Sequence, residues 1–233
     1  QFARLSAMKV AIVGCGSLGG YVARLLAQAG VGTFTFVDDD RLRAHNTSRH
    51  VLGGRFVGRY KSDAMATMLR EDFPHIRFAT SVRQRIELVP QEQLGKILDC
   101  NVVISGGISY LGDLTLNGWR LANGGTPAHV CTWVEPFALA GHALAVTDRG
   151  DLRVAFSADG YPLGTLCEWP EDAGVIIAEA GCGNMFQPHG AVELQRTALM
   201  TARLALDALS RTANVTRSVC LAAMASGAAT RSG

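Results

Sequence analysis

The sequence lacks three things: a surplus of one charge, paired cysteine spacings and any long apolar run. Each absence removes a class of protein. There are 22 basic and 20 acidic residues among 233, and the basic ones are scattered. No global field therefore points to nucleic acid or to a membrane surface. Apolar runs are interrupted by Gly, Arg or Asp before they reach the ~18 residues that a membrane-crossing helix needs. The cysteines, Cys15, Cys100, Cys131, Cys167, Cys182 and Cys220, include no Cys-x-x-Cys pair, so a zinc knuckle lacks its spacing. A chain this large and apolar does not depend on a disulfide framework, and reduced thiols in a cytoplasmic protein are the expectation. Aromatic residues are few, and Trp119, Trp133 and Trp169 are too dispersed for a base-stacking platform, so core or interface packing is expected of them. No cleavable leader is visible, because Arg4 and Lys9 run into a strand-like segment. The chain begins with Gln and enters that strand almost at once, which reads as a domain cut from a longer protein.

What is present is a βαβ signature in a chain long enough for one α/β domain. Met8–Val13 is a short apolar run before glycine, as in a buried parallel strand. Leu18, Val22, Leu25, Leu26 and Ala29 recur at helical spacing, and Gly30 and Gly32 stop that helix. Thr33–Val37 is β-branched and aromatic, a second strand. Residues 41–60 read as a long functional loop. Helices are expected over Lys61–Arg70, Pro90–Leu98, Leu111–Ala122 and Ala191–Leu209, and strands over His75–Val82, Val102–Ser105 and Ala128–Val134. Gly141–Thr147 and Leu152–Phe156 flank Asp148-Arg149-Gly150 and read as an antiparallel hairpin. The last helix is apolar on more than one face, so cover on several sides is expected. The predicted fold is a Rossmann-like, doubly wound, largely parallel sheet with an antiparallel hairpin extension and a C-terminal helix. One domain spans 1–210, with a crossing segment at 157–189 and a flexible tail over 211–233.

The motif Gly14-Cys15-Gly16-Ser17-Leu18-Gly19 joins the first strand to the first long helix. Gly14 makes the tight turn, Gly16 lets backbone approach phosphate, and Gly19 allows close helix–strand packing. Asp38, at the end of the second strand, suits ribose hydroxyls of NAD or ATP alike. The residues that follow favour a triphosphate. After Asp38-Asp39-Asp40, Arg49 and Lys61 add cations and Asn46 a hydrogen-bonding amide that a pyrophosphate held by backbone amides does not need.

Gly14-x-Gly16-x-x-Gly19, Val37-Asp38-Asp39-Asp40, Asn46-x-x-Arg49 and Val57-Gly58-x-x-Lys61 together resemble the nucleotide site of the ubiquitin-activating (E1-like) superfamily. That superfamily includes the adenylating enzymes of molybdopterin and thiamin biosynthesis. The later stretches "HVCTWVEPFALAGHALAV" and "EAGCGNMFQPHG" resemble prokaryotic E1 domains of ubiquitin-like conjugation operons, which in anti-phage systems are often fused to an E2-like domain. The resemblance implies ATP and Mg²⁺ as cofactors and adenylation of the C-terminal carboxylate of a ubiquitin-like or other small protein. It also implies an E2-like partner or fused domain and a homodimer, with neither nucleic acid nor membrane as partner. In this reading Arg49 and Lys61 supply cations, Asn46 donates a hydrogen bond, Asp38 holds the ribose and Asp40 orients Arg49 or the loop. The superfamily places an acidic residue for magnesium after the fourth strand. Here that stretch is Ser105-Gly106-Gly107-Ile108-Ser109, so the metal ligand is unknown from sequence. Asp113, roughly a turn further on, could take over that role, although it reads more readily as a surface or helix-capping residue.

A thioester step needs an exposed thiolate. Cys15, Cys100 and Cys131 read as core thiols, whereas Cys182, between Gly181 and Gly183 and shortly before a helix, is the expected acceptor, ahead of Cys167. His189 is a candidate to assist proton transfer there, His50 is expected to line the loop, and His142 reads as a satisfied core or hairpin residue. Two other classes stay open at this point. One is an NAD(P)-dependent oxidoreductase; the other is a nucleotide-binding scaffold without turnover.

Overall fold

A computed structural model describes residues 2–167, 177–178, 185–186, 189–210 and 217–222. A short helix, α1 (Phe2–Ser6), leads into β1 (Lys9–Val13), α2 (Ser17–Ala29) and β2 (Thr33–Val37). Next come α3 (Lys61–Asp72), β3 (Phe78–Val82), α4 (Gln91–Ile97), β4 (Val102–Gly106), α5 (Tyr110–Ala122) and β5 (Ala128–Val134). The chain continues through β6 (Ala140–Val146), the two-residue strands β7 (Ile177–Ala178) and β8 (Met185–Phe186), α6 (Ala191–Ser210) and β9 (Arg217–Ala222).

The main sheet runs β3-β2-β1-β4-β5-β6-β9. The five strands from β3 to β5 are parallel, and β6 and β9 each pair antiparallel. β1 is central and alternates between two cores: Val10 and Ile12 pack beneath α2, α3 and α6 with Phe34, Met65 and Ile104, while Ala11 and Val13 pack beneath α4 and α5 with Leu94, Val103 and Leu116. Burial on both faces explains why its sequence is apolar at successive positions rather than at every second one. α2 ends where Gly30 takes φ +109 and returns its amide to the carbonyls of Leu26 and Ala27, a left-handed cap that favours glycine. α5 starts at Ser109, whose hydroxyl accepts from the Gly112 amide at 3.1 Å.

The predicted architecture is the observed one, with two corrections. First, Leu152–Phe156 does not form the second strand of a hairpin. Leu152–Ala155 is a 3₁₀ turn capped by the Asp151 carboxylate, which accepts from the Arg153 amide at 3.0 Å. The neighbours of β6 are β5 and β9, so the antiparallel extension is built from other partners. Local capping by Asp151 outcompetes a weak strand preference. Second, α6 buries one broad face, with Leu194, Ala198, Ala202 and Leu209, while Val192 and Leu199 stand 69% and 61% exposed. Within the stretch expected to be a tail, Arg217–Ala222 completes the sheet edge against β6.

Candidate active site

The chain runs β1 to β2 to β3 toward one edge of the sheet, and β4 then pairs on the other side of β1. Loops leaving the carboxyl ends of β1 and β4 therefore diverge and leave a crevice. A cleft of about 570 Å³ opens there and continues into a second lobe of about 310 Å³. Gly16, Lys61, Gly106, Gly107 and Ile108 line both lobes.

The glycine turn forms the back of the crevice. Gly14 takes φ +85 and bonds back to the Val37 carbonyl at 2.9 Å, and a Cβ on it would lie 2.5 Å from the Gly106 carbonyl oxygen. At Gly19 a Cβ would come within 2.0 Å of the Gly14 carbonyl oxygen, whereas at Gly16 it would meet nothing within 4 Å. Gly14 and Gly19 are thus demanded by the protein's own packing, and Gly16 is free of that demand. Gly16 caps α2 with no side-chain hydrogen bond, so the first-turn amides are left for an anion.

The smaller lobe holds the three aspartates, and they are not equivalent. Asp38 accepts from the Cys15 amide at 2.6 Å and the Asp40 amide at 2.7 Å, so it stitches the glycine turn to the end of β2. Burial pushes its pKa up, opposed by Lys61 and by these amides. Asp40 instead pairs with Lys61, Nζ to Oδ2 at 2.7 Å, and Asp39 pairs with Arg85 at 3.4 Å. Lys61 opens α3 with its amide on the Asp40 carbonyl at 2.8 Å, and Ser62 Oγ donates to the Asp38 carbonyl at 2.9 Å. These bonds fix the ammonium against the crevice.

The loop at 41–60 closes the larger lobe. Its first half folds as a 3₁₀ turn, Ala44–Ser48, and Asn46 and Arg49 both line the cleft. Asn46 is buried and its Oδ1 accepts from the Arg43 amide at 3.0 Å. His50 holds this loop to the glycine turn. Its Nδ1 accepts from the Leu52 amide at 3.0 Å, which leaves the proton on Nε2 to be donated to the Cys15 carbonyl at 2.7 Å. Burial lowers its pKa to about 4, so the ring is a neutral strut.

Two polar constellations were not anticipated. Asp113 is buried on the inner face of α5, 7% exposed, rather than serving as a surface or capping residue; Ser109 does the capping. Asp113 meets Ser105, His129 and Cys131 at the cleft floor. The available signal was its register, since Asp113 shares a helical face with Leu116, Asn117 and Arg120, all buried. The second constellation centres on Glu135. Its carboxylate takes His142 Nε2 at 2.6 Å, the Leu166 amide at 2.7 Å and the Cys167 amide at 2.8 Å. His142 in turn stacks on Trp133, a wall of the cleft, with ring centroids 4.9 Å apart.

Cys15 and Cys131 are buried, and burial pushes both thiols well above their ordinary range. The Cys167 thiol is raised as well, first by burial and then by Glu135 beside it, which disfavours a thiolate. Cys182 lies outside the described residues. His189 lines the cleft mouth, where it bridges to Phe137. Among the described residues, no group of three or more His, Cys, Asp or Glu side chains could hold a metal ion alone. A phosphate-bound Mg²⁺ commonly takes only one or two protein carboxylates, and Asp113 lines the same cleft as Lys61 and Arg49. Among the described residues, no helix is long and apolar enough to cross a membrane.

A glycine turn at the switch point of a mostly parallel sheet, cations from the next two elements and an acidic end to β2 define a Rossmann-like domain with an open crevice at the carboxyl ends of its strands. Residues 1–107 match the model of the ThiF family. It is 28% identical over 208 residues to the ATP-dependent ubiquitin transferase-like protein Cap2 of Pseudomonas aeruginosa, covering 87% of this chain and 36% of that protein. It is 42% identical over 102 residues to the adenylyltransferase and sulfurtransferase uba4 of Aspergillus fumigatus, covering 43% of this chain and 20% of that one. The chain thus spans well under half the length of these relatives. In fold it matches the crystal structure of E. coli MccB with AMPCPP and MccA at a TM-score of 0.66 and 13% identity, over 95% of this chain and 65% of that one.

Proposed function

We propose that this domain uses ATP to adenylate the C-terminal carboxylate of a ubiquitin-like or other small protein. The observation that carries this reading is the convergence of Lys61, Arg49 and Asn46 with the glycine turn on a single cleft at the switch point. The adenosine side occupies the smaller lobe, where Asp38 retains lone pairs for the ribose hydroxyls beyond the two that its amides use. The triphosphate lies across Gly16 and the first turn of α2, with Lys61 and Arg49 as counter-charges and Asn46 as hydrogen-bonding support. A carboxylate oxygen of the partner's last residue attacks the α-phosphorus. The bond from that phosphorus to the bridging oxygen breaks, pyrophosphate departs with the electron pair, and an acyl-adenylate remains. The protein's share is to position the attacking oxygen and to neutralise developing charge with groups already in place. Magnesium, when bound, spreads the charge of the leaving pyrophosphate.

The relatives' names support the reading: one is an adenylyltransferase and another an ATP-dependent transferase-like protein. A thioester on Cys182, delivery to an E2-like partner or fused domain, a homodimer in the cytoplasm and a role in anti-phage defence are further parts of the proposal. The deciding experiment is ATP–pyrophosphate exchange with a candidate carrier bearing a free C-terminal carboxylate. Exchange that disappears when that carboxylate is amidated is the expected result. Tight NAD(P) binding with no exchange would return the chain to the oxidoreductase class, and ATP binding without exchange to the scaffold class. Mass spectrometry of the same mixture reads the thioester as a reducible adduct that is absent in Cys182→Ala.

A further inference from the structure

The net charge of +2 conceals one local excess. Residues 41–60, the loop between β2 and α3, hold five arginines, Arg41, Arg43, Arg49, Arg55 and Arg59, and neither Asp nor Glu. That is more positive charge than the net of the whole chain, so the remainder is net acidic. Arg49 lines the cleft; the other four line neither lobe, and Arg41, Arg55 and Arg59 are exposed. The loop folds back on itself and gathers them. The Leu42 amide bonds the Arg59 carbonyl at 2.9 Å, the Gly58 amide bonds the Leu42 carbonyl at 2.8 Å, and Arg41 bridges antiparallel to Tyr60. Arg83, just past β3, joins from the neighbouring strand end, with its guanidinium 5.0 Å from the Tyr60 ring centroid.

These guanidiniums are held in place by the loop. Arg41 lies 4.0 Å from the same Tyr60 centroid and donates to the Gly58 carbonyl at 2.7 Å. Arg55 and Arg59 lie 4.5 and 5.5 Å from the Phe56 centroid. A guanidinium packed over a ring keeps N–H donors for a second partner and loses less freedom when a carboxylate takes its fork. The acids within reach are already engaged: Asp63 by Arg83 at 2.7 Å, and Glu71 and Asp72 by Arg55 at 3.1 and 3.8 Å. Among the described residues, Arg41, Arg43 and Arg59 have no carboxylate in ion-pair contact. The rings do not suit nucleic acid. Phe56 is 3% exposed and Tyr60 is half-buried against two guanidiniums, so neither presents a face on which a base could stack. The surface that fits is a protein's, bearing carboxylates.

We propose that this arginine face docks an acidic surface on the small protein whose C-terminal carboxylate enters the cleft. The inference rests on the adenylation reading and extends it to how the body of the carrier is chosen. The same loop presents Asn46, Arg49 and His50 to the cleft, so its outer face flanks the opening that a carrier's tail would enter. Charge placed there steers the encounter and fixes the register of the partner without taking part in the chemistry. The test variant combines Arg41→Glu, Arg55→Glu and Arg59→Glu, and none of the three lines the cleft. Pyrophosphate exchange is measured with a whole carrier and with a synthetic peptide of its C-terminal tail. At about 50 mM salt, KM for the whole carrier is expected to rise about tenfold or more, while kcat, ATP affinity and KM for the tail peptide stay as in wild type. At about 200 mM salt the gap should narrow, because surface charges are then screened. A defined probe, fluorescein-labelled oligoglutamate read by anisotropy, should bind the wild type and lose about tenfold or more of its affinity in the variant. Equal KM for the whole carrier in both proteins overturns the docking site and leaves adenylation standing. A variant that also loses ATP affinity overturns it, since the effect then passes through the cleft. A single-stranded oligonucleotide of matched charge that binds tighter than oligoglutamate gives the face to nucleic acid and overturns it as well. Absence of exchange with every carrier in the wild type overturns the adenylation reading, and the docking site with it. Should the triple variant fail to fold, Arg41→Gln with Arg59→Gln replaces it: a rise of roughly threefold or more in whole-carrier KM alone supports the inference, and an unchanged KM overturns it.

Discussion

Gly16 and Gly19 stand three residues apart in one turn and should answer differently to the same added methyl group. At Gly19 the Cβ would be driven into the Gly14 carbonyl, so Gly19→Ala must move α2 away from β1. A loss of several kcal/mol, roughly the scale of severe core overpacking, is expected in urea unfolding. At Gly16 the methyl has open space on the protein side and φ is −70, so Gly16→Ala should unfold within about 0.5 kcal/mol of wild type. The space it fills is the crevice itself, so nucleotide binding is expected to fall sharply in calorimetry although the fold survives. Equal stability of the two variants would refute this division of labour. Lys61 makes a parallel case. Lys61→Gln removes the charge opposite Asp40 and is expected to abolish measurable pyrophosphate exchange with little change in stability, since the lost pair is half on the surface. Exchange at wild-type rate in Lys61→Gln would remove the lysine from the phosphate site.

At the scale of elements, the crossing segment is rooted by one carboxylate. Glu135 sits just past β5, and its contacts with the Leu166 and Cys167 amides tie the start of that segment to the strand end, with His142 of β6 as the third bond. The same amides hold the Glu135 pKa below its ordinary value against the opposing effect of burial. Glu135→Ala should leave both amides unpaired, and their hydrogen exchange is expected to accelerate by roughly tenfold or more while β1 and β4 amides keep their protection. Unchanged exchange at 166 and 167 would show that the tether is dispensable. Nothing in the sequence announced this clamp, because its partners lie 31 and 32 residues apart and no period or motif links them. Elements defined by local pattern were legible in advance. β1 through β5 and the helices between them came from apolar runs and helical spacing, and the turn at 44–48 gave Asn46 and Arg49 their common face. Leu152–Phe156 was misread because its apolar residues fit a strand, while the Asp151 cap and the packing of Leu152 beside Cys131 and Val146 decide its shape. A nonlocal choice of strand partner, β9 rather than 152–156, is likewise invisible to a local pattern.

Over the whole molecule, the cleft is where sheet topology, two loops and a helix face meet, so it concentrates the groups whose protonation burial has shifted. The cleft-lining residues that belong to sequence motifs were legible in advance. The buried ones, His50 as a strut, Asp113 and His129, needed three dimensions, because what defines them is the water they have lost. That loss has a sign that can be measured. His50 titrates at about 4 in the fold against an ordinary 6.5, and His129 at about 3. For both, folded stability is complete above the unfolded value near 6.5 and drains away as pH falls toward the folded value, since the unfolded chain binds the proton first. Asp113 runs the other way. Its folded pKa is raised to about 6 from 3.8 by burial, so its contribution is present below about 4 and lost as pH rises through 6. Asp38 shifts in the same direction as Asp113, so the summed profile of the wild type mixes opposing slopes, and single variants are needed to isolate each group. Between about pH 4.5 and 6, replacing His50 by Gln should remove about 1.4 kcal/mol of stability change per pH unit from the urea-derived profile, one proton's worth. In the same window Asp113→Asn should do the opposite and steepen the fall of stability on acidification by a similar amount. If His50→Gln left the slope as it was, the ring would have to be exchanging its proton in the folded state. The strut between the loop and the glycine turn would then be a charged one, and the neutral tautomer drawn from its two hydrogen bonds would be wrong.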